Sequence, residues 1–255
     1  MKKTATFAVV AAMLMTMYAC RHHYEVTSVE RTRILIDSRW DAQSDAQANA
    51  FLAPYKHDVD SVLGPVLGHV ARNMTVDRPE SLLSNLLPDI LIWASQFYNE
   101  QPVFAVYNMG GIRADLTRGA VTFGDVLDVA PFENKIAFTT LSGEAVLELF
   151  EQIAARGGEG VSSAVRMVIT KDGKLLSATL NGEEIDPSKD YRVATIDYLL
   201  GGNDKMLALK KSRNIHSPQE KENNSRFVIM NYFREMMKQG KKVDAEIEGR
   251  VIVEM

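Results

Sequence analysis

Two short turns constrain the fold more than any other feature of this sequence. Asp172-Gly173 and Asn181-Gly182 punctuate three segments of strand-forming residues, 165–170, 175–180 and 191–196. Such dipeptides supply the positive φ angles that two-residue hairpins need. This part of the chain therefore predicts hairpin-connected strands.

Helices and further strands are predicted around these hairpins. Apolar residues recur at helical spacing over 81–98, 142–155 and 225–239. Runs of strand-forming residues predict strands at 31–37, 68–73, 101–108, 135–140 and 250–254. Residues 44–72 begin with a helical pattern that Pro54 and Gly64-Pro65 should interrupt, which predicts two helical pieces. The fold class is α+β, with a mixed sheet and hairpins flanked by helices.

The first 20 residues have the pattern of a bacterial lipoprotein signal peptide. Lys2 and Lys3 precede an apolar run, 7–17, that is too short to span a bilayer as a stable helix. The run leads to Ala19 and Cys20, so we expect cleavage before Cys20 and acylation of its thiol. Ordinary cleavage that leaves Cys20 unmodified is the alternative, because the residues before Ala19 are bulkier than usual.

Residues 21–28 are interpreted as a tether and residues 29–255 as one domain. The adjacent His22 and His23 lack the spaced third and fourth ligands of a closed metal site, which favours a solvated linker. The formal net charge of -4, without a long run of Lys or Arg, gives no general attraction to nucleic acid. Any anionic ligand must therefore meet a few local cations.

A first candidate binding segment follows the predicted strand at 101–108. Asn108 begins it, and Gly110 and Gly111 let the backbone turn sharply and let a ligand approach closely. Arg113 can present its planar guanidinium to a phosphate or carboxylate. A strand-ending turn with a surface arginine is an equally good interpretation from the residues alone.

Two aromatic residues stand beside backbone-fixing residues in later loops. Phe132 follows Pro131 and can serve as a stacking platform, although a ring in such a position more often fills the core. Tyr198 lies six residues before Asp204, with two glycines between them. An aromatic ring and a carboxylate suit a nucleoside, since the ring offers a π face and the carboxylate accepts hydrogen bonds from ribose hydroxyls.

Together and in this order, these segments resemble the C-terminal domain of the 5′-nucleotidase family. Its Asn-x-Gly-Gly-Ile-Arg pattern is matched by 108–113, and its Pro-Phe pair by Pro131-Phe132. The strand and glycine-led helix at 140–152 are similar, as is the aromatic and Gly-Gly-Asp loop at 198–204. The resemblance extends over roughly residues 31–253.

The resemblance implies a nucleotide-binding role for these residues. Phe132 and Tyr198 would sandwich the base, Asn108 and Arg113 would meet base and phosphate-side groups, and Asp204 would hold the ribose. Asn203 is an insertion relative to the family's Gly-Gly-Asp loop, so the role of Asp204 is less well defined.

An earlier segment, 80–86, is similar to the family's Glu-Ser/Thr-x-x-Gly-Asn-Leu stretch but has Ser84 in place of its glycine. Arg78 lies close to where the family can place a second arginine, so it is a further candidate for substrate binding.

The family's hydrolytic half needs Asp-x-His, Gly-Asp and Gly-Asn-His blocks that hold two metals and activate water, and this sequence contains none of them. The histidines His57, His69 and His216 are isolated. We therefore expect no catalytic residue, metal ligand or cofactor in this chain. Whether it takes part in an enzyme depends on a partner.

Two functional hypotheses remain open. In the first, the chain is the nucleotide- or nucleoside-recognising subunit of a split 5′-nucleotidase-type phosphohydrolase, and a separate metallophosphatase chain supplies two divalent metals. In the second, it is a stand-alone envelope lipoprotein that binds nucleotides or mediates interactions without catalysis. Both place the protein in the bacterial cell envelope, periplasmic or at the cell surface, anchored to the membrane only by lipid.

Overall fold

The computed structural model describes residues 25–35, 37–43 and 45–254. The chain divides into two compact units, Met1–Phe51 and Leu52–Met255. In the first unit, residues 25–35 have no regular secondary structure and Ser38–Gln43 form a 3-10 helix. The prediction of a strand at 31–37 is wrong for the described residues of that range. Their side chains are exposed, and no neighbouring strand there satisfies the backbone.

The α-helices of the described chain are numbered in sequence order: α1 (Ala46–Leu63), α2 (Leu82–Ala94), α3 (Phe123–Val129), α4 (Gly143–Ala155), the single turn α5 (Asp197–Leu200) and α6 (Ser225–Lys238). The strands are β1 (Val66–Val70), β2 (Phe104–Tyr107), β3 (Gly119–Thr122), β4 (Ile136–Ser142), β5 (Gly160–Val161), β6 (Val165–Thr170), β7 (Leu175–Leu180), β8 (Glu183–Glu184), β9 (Asp190–Ile196), β10 (Arg213–His216) and β11 (Val251–Glu254).

Helix α1 is one continuous helix and not the two predicted pieces. Pro54 lies inside this helix. Proline has no backbone N–H, so the helix lacks one hydrogen bond there but continues to Leu63. No described side chain of α1 is buried. The predicted helix at 81–98 is α2 followed by a 3-10 turn, Ser95–Tyr98, which ends where Asn99 adopts a left-handed φ of 54°.

Mixed sheets confirm the predicted α+β class. One sheet has the order β10-β4-β9-β2-β5, a second has β11-β6-β7-β8, and a small third sheet pairs β1 with β3. The Asp172-Gly173 turn joins β6 to β7 as predicted. The Asn181-Gly182 turn joins β7 to the short strand β8, while the segment 191–196 belongs to β9 in the other sheet.

The core lies where the five-stranded sheet meets helices α2 and α4. All four residues of β2 are buried, which confirms that this strand is covered on both faces. The rings of Phe104 and Phe150 pack edge to face with centroids 5.3 Å apart. Burial of each such side chain stabilises the fold by roughly 1.5 to 3 kcal/mol.

The first residue of α4 must be glycine because another part of the backbone packs closely against it. A Cβ at Gly143 would lie 2.0 Å from the carbonyl oxygen of Asp186, so only glycine allows this close approach. Ser142 caps the helix by accepting a hydrogen bond from the amide of Ala145.

Candidate functional site

The pairing of three strands brings distant loops to one edge of the five-stranded sheet. Strands β2 and β9 are parallel, so both end at the same edge and lead into the loops that begin at Asn108 and Asp197. Strand β4 is antiparallel to β9, with Ile136 opposite Ile196, so the loop before β4 reaches this edge as well. Residues 108–111, 131–135 and 197–204 therefore converge although about 90 residues of chain separate the first from the last.

These loops form a cleft of about 150 Å³, which we call the aromatic cleft. The sequence predicted six of its seven lining residues, and the full lining is Asn108, Gly110, Gly111, Phe132, Asn134, Tyr198 and Asp204. Its volume is below the roughly 300 Å³ at which sites for whole drug-sized ligands begin, so it suits one flat group such as a base.

Both aromatic side chains of this cleft are partly open to solvent. Phe132 is 46% exposed and Tyr198 is 40% exposed. Neither ring is a core residue, which decides against the interpretation of Phe132 as a core-filling side chain. Exposed rings held on fixed backbone can stack on a ligand without changing the packing behind them.

A short hydrogen bond joins the two polar side chains of the aromatic cleft. Nδ2 of Asn108 donates to Oδ2 of Asp204 at 2.6 Å. Asn108 is 3% exposed, and within the described chain its Oδ1 has no hydrogen-bond partner. A Cβ at Gly111 would lie 2.8 Å from that oxygen, so glycine is needed here because the amide occupies the space.

A buried carboxylate supports the cleft from behind. Glu159 is 1% exposed and lies just before β5, the strand that pairs with β2. Its Oε1 accepts hydrogen bonds from Arg78 and Arg156, and its Oε2 accepts from the backbone amide of Met109 at 2.6 Å. We call these four groups the Glu159 cluster. It fixes the loop that carries Asn108 and the two glycines.

Arg78 does not lie in the aromatic cleft. It lines a separate cleft of about 540 Å³ with Gln152, Ala155, Arg156 and Lys205, which we call the cationic cleft. Arg113 is outside both clefts, exposed to solvent, with its Nη1 3.3 Å from the carbonyl oxygen of Gly110. The structure thus brings together six of the eight predicted binding residues in the aromatic cleft, whereas Arg113 contacts the backbone of Gly110 from outside it and Arg78 lies in the cationic cleft. Their roles in binding stay predictions.

Some residues at this edge were not found from the sequence. Asn134 lines the aromatic cleft, Glu159 lies beneath it, and Arg156 and Lys205 line the cationic cleft. The Gly157-Gly158 pair before Glu159 was the available signal, since a glycine pair also marks the loop at Asn108. For the other residues, nothing local in the sequence separates them from ordinary surface polar residues.

The titratable groups near the site include a buried phenol. Burial raises the pKa of Tyr107, the last residue of β2, so its phenol stays protonated.

Over the described ranges, no group of three or more His, Cys, Asp or Glu residues could hold a metal ion. His216 is not free of contacts, since its Nδ1 lies 2.9 Å from Oε1 of Glu100.

Cys20, the predicted lipidation site, lies outside the described residues, as do His22 and His23. The search for membrane spans covered the described helices, and none of them is long and apolar enough to cross a membrane.

The fold and the cleft agree with one known class of domain. The family model described as 5′-nucleotidase, C-terminal domain, matches residues 65–211, which is more than half of the chain. The protein belongs to this family. The match includes the loops at 108–111, 131–135 and 197–204.

Individual relatives match over the same part of the chain. Protein UshA of Escherichia coli (strain K12) is 29% identical over 161 residues, covering 62% of this chain and 29% of UshA. The cell wall protein Lmo0130 of Listeria monocytogenes serovar 1/2a is 27% identical, covering 71% of this chain and 24% of that protein. The chain therefore spans less than a third of the length of these curated relatives.

A solved structure supports the same conclusion. The 5′-nucleotidase precursor from Thermus thermophilus superposes with a TM-score of 0.68 at 25% identity, covering 81% of this chain and 43% of that chain.

Proposed function

We propose that this chain recognises the nucleoside part of a nucleotide, as the binding subunit of a 5′-nucleotidase-type phosphohydrolase. One observation carries the proposal: two half-exposed rings, Phe132 and Tyr198, share a cleft of base-like size with the side chains of Asn108 and Asp204. That combination offers a π surface beside hydrogen-bonding groups, which is what a base joined to a ribose requires.

The polar side chains of the aromatic cleft can bind the ribose and the edge of the base. Asp204 keeps acceptor capacity beyond its bond to Asn108, because a carboxylate has about four lone-pair sites, and ribose hydroxyls can use them. The side-chain amide of Asn134 presents both a donor and an acceptor to the edge of a base. The Glu159 cluster holds the Asn108 loop in place, so ordering this side of the cleft costs little when a ligand binds.

The phosphoryl chemistry is assigned to a separate metallophosphatase chain with two divalent metals. In that arrangement, binding energy from the base positions the phosphate for attack at the partner's metals.

The test of this proposal has two stages. Calorimetry of the detergent-solubilised full chain should show binding of adenosine and AMP, and the same preparation should release no phosphate from AMP with added divalent metals. Native purification from the source cell should then recover a second chain that carries metal-dependent AMP hydrolysis. Binding without any such partner would instead favour the stand-alone binding lipoprotein, and turnover by the pure chain would reject both.

We also propose that the protein is a lipoprotein of the cell envelope. The apolar run that leads to Ala19-Cys20 supports this, as does the description of Lmo0130 as a cell wall protein. Cys20→Ser should move the protein from the membrane fraction to the soluble fraction. If the variant stays with the membranes, the anchor lies elsewhere.

A further inference from the structure

The first residues of α6 hold the loop that carries Phe132. Nη2 of Arg226 donates a hydrogen bond to the carbonyl oxygen of Pro131 at 2.6 Å. The backbone amide of Ser225 donates to the carbonyl oxygen of Asn134 at 2.7 Å. The loop is therefore fixed on both sides of Phe132, and of these two donors Arg226 is the one that belongs to a side chain.

The bond from Arg226 acts on the peptide unit that directly precedes Phe132. A peptide unit is planar, so a hydrogen bond to the carbonyl oxygen of Pro131 also fixes the orientation of the Phe132 amide. The ring of Pro131 fixes φ on the other side of the same unit. Because the Phe132 side chain is 46% exposed, packing holds its ring only in part. The direction of the ring therefore depends on this backbone.

Helix stability does not account for an arginine at this position. Arg226 is the second residue of α6, at the end of the helix where the dipole is positive, so a positive charge is unfavourable there. Its Nε is buried and has no hydrogen-bond partner in the described chain. Among residues 45–254, its guanidinium makes one hydrogen bond, the bond to Pro131. That contact is what the arginine contributes.

Tyr198, the other ring of the aromatic cleft, is held by a different residue. Oδ1 of Asp197 accepts hydrogen bonds from the backbone amides of Lys135, at 3.0 Å, and of Tyr198, at 2.7 Å. The amide of Asp197 in turn donates to the carbonyl oxygen of Lys135 at 2.9 Å. Removal of the Arg226 guanidinium therefore leaves the contacts that fix Tyr198 in place.

We propose that Arg226 is a positioning residue for base binding, which fixes the Pro131 peptide so that the Phe132 ring is already placed to stack on a base. The proposal rests on the proposed function, in which Phe132 and Tyr198 bind the base. A ring that is placed before the ligand arrives needs little further ordering on binding. Loss of the Arg226 bond should therefore weaken binding although Arg226 does not line the aromatic cleft.

Calorimetry of the full chain with adenosine gives the first test. Arg226→Met removes the guanidinium and keeps an apolar stem, and it should weaken adenosine binding by about two- to tenfold, as expected for the ordering of one side chain. Arg234→Met is the matched control. It makes the same change on the exposed side of α6, where Arg234 bonds Asn231 of the same helix, and it should leave the affinity unchanged.

A double-mutant cycle separates positioning from a general effect on the fold. In the Phe132→Ala background, Arg226→Met should cause no further loss of affinity, because the ring that it positions is absent. In the Tyr198→Ala background, Arg226→Met should keep its full effect. A merely structural role would produce the same loss in both backgrounds.

Thermal melts supply the second readout. The melting temperature of Arg226→Met should stay close to that of the wild type. Pro131 is exposed, so water can replace the lost donor, and removal of a positive charge from the start of α6 is favourable.

Four outcomes would overturn the proposal. Unchanged adenosine affinity in Arg226→Met means that the bond does not position the ring. An equal loss in the wild-type and Phe132→Ala backgrounds means that Arg226 acts without Phe132. A melting temperature many degrees lower assigns Arg226 to the fold. Failure of the wild type to bind adenosine rejects the proposed function as well, so the two failures can be distinguished.

Discussion

The aromatic cleft and the Glu159 cluster behind it are built in opposite ways. Phe132, on a loop, and Tyr198, in the single helical turn α5, are about half exposed, whereas the Glu159 carboxylate is almost fully buried and accepts hydrogen bonds from two arginines and a backbone amide. A ring at the surface can be removed with little effect on packing. A buried charge cannot be removed without leaving its partners unsatisfied. The residues that fix the shape of the site are therefore different from the residues that would contact a ligand.

The largest effect is expected at Glu159. Glu159→Gln replaces one charged acceptor with an amide group that faces two guanidinium groups, so the free energy of unfolding should fall by about 2 to 3 kcal/mol. Urea denaturation measures this. The control is Glu148→Gln, which removes the partner of Lys211 at the surface and should cost less than about 1 kcal/mol. Equal changes in the two variants would mean that the Glu159 cluster contributes no more than a surface pair.

The aromatic residues should show the reverse pattern. Phe132→Ala and Tyr198→Ala should each weaken adenosine binding by roughly 1 to 3 kcal/mol, the range for stacking of a base on an aromatic side chain. Their melting temperatures should stay close to that of the wild type. Calorimetry and thermal melts test both statements. If the variants melt many degrees lower and the folded fraction binds normally, the two rings belong to the fold and not to the binding site.

Arg113 should have a smaller and more selective effect. It is exposed and contacts the carbonyl oxygen of Gly110, so its loss should leave stability unchanged. Arg113→Ala should weaken AMP by about 1 kcal/mol more than adenosine, because only AMP carries an anionic group for the guanidinium. Equal losses for the two ligands would remove Arg113 from the phosphate side of the site.

The smallest effect concerns a charged group outside both clefts and depends on pH. The guanidinium of Arg192, with a further contribution from His216, holds the pKa of Glu100 below its usual value. Since a lowered folded-state pKa stabilises the folded protein only while the carboxyl is ionised, this stabilisation is present above the ordinary glutamate pKa of about 4.3. It is lost as the pH falls below that value.

Thermal melts of the wild type and Glu100→Gln between about pH 6 and pH 3 check this. The wild type should be more stable at the upper end of the range, and the difference should shrink towards the lower end. A difference that grows with acidification would contradict the assignment.

Much of the secondary structure could be predicted because it follows from local patterns. The Asp172-Gly173 turn, the buried strand at 104–107 and the amphipathic helices α4 and α6 all agree with periodicity and turn chemistry. The predictions were wrong where a local signal is outweighed by the continuity of a helix or where a segment has no strand to pair with. Pro54 is accommodated within α1. Residues 31–35 have strand-like composition but form no strand.

Pairing also decided where the second hairpin leads. The Asn181-Gly182 turn was recognised from its residues, but its partner strand is β8, which is only two residues long. Two residues are too few to produce an alternating pattern, so this strand could not be predicted from periodicity.

The sequence by itself determined which chemical groups the segments between the strands carry: two aromatic rings, paired glycines, an amide and a carboxylate. Only the tertiary structure decided which of these groups meet. The parallel pairing of β2 with β9 and the antiparallel pairing of β4 with β9 place three loops at one edge. In the folded chain, Arg78 lies in a different cleft with Arg156 and Lys205. Glu159 accepts a hydrogen bond from the backbone amide of Met109. The physical reason is range: periodicity and turn propensity act over a few residues, whereas contacts between these loops arise from strand pairing across about 90 residues.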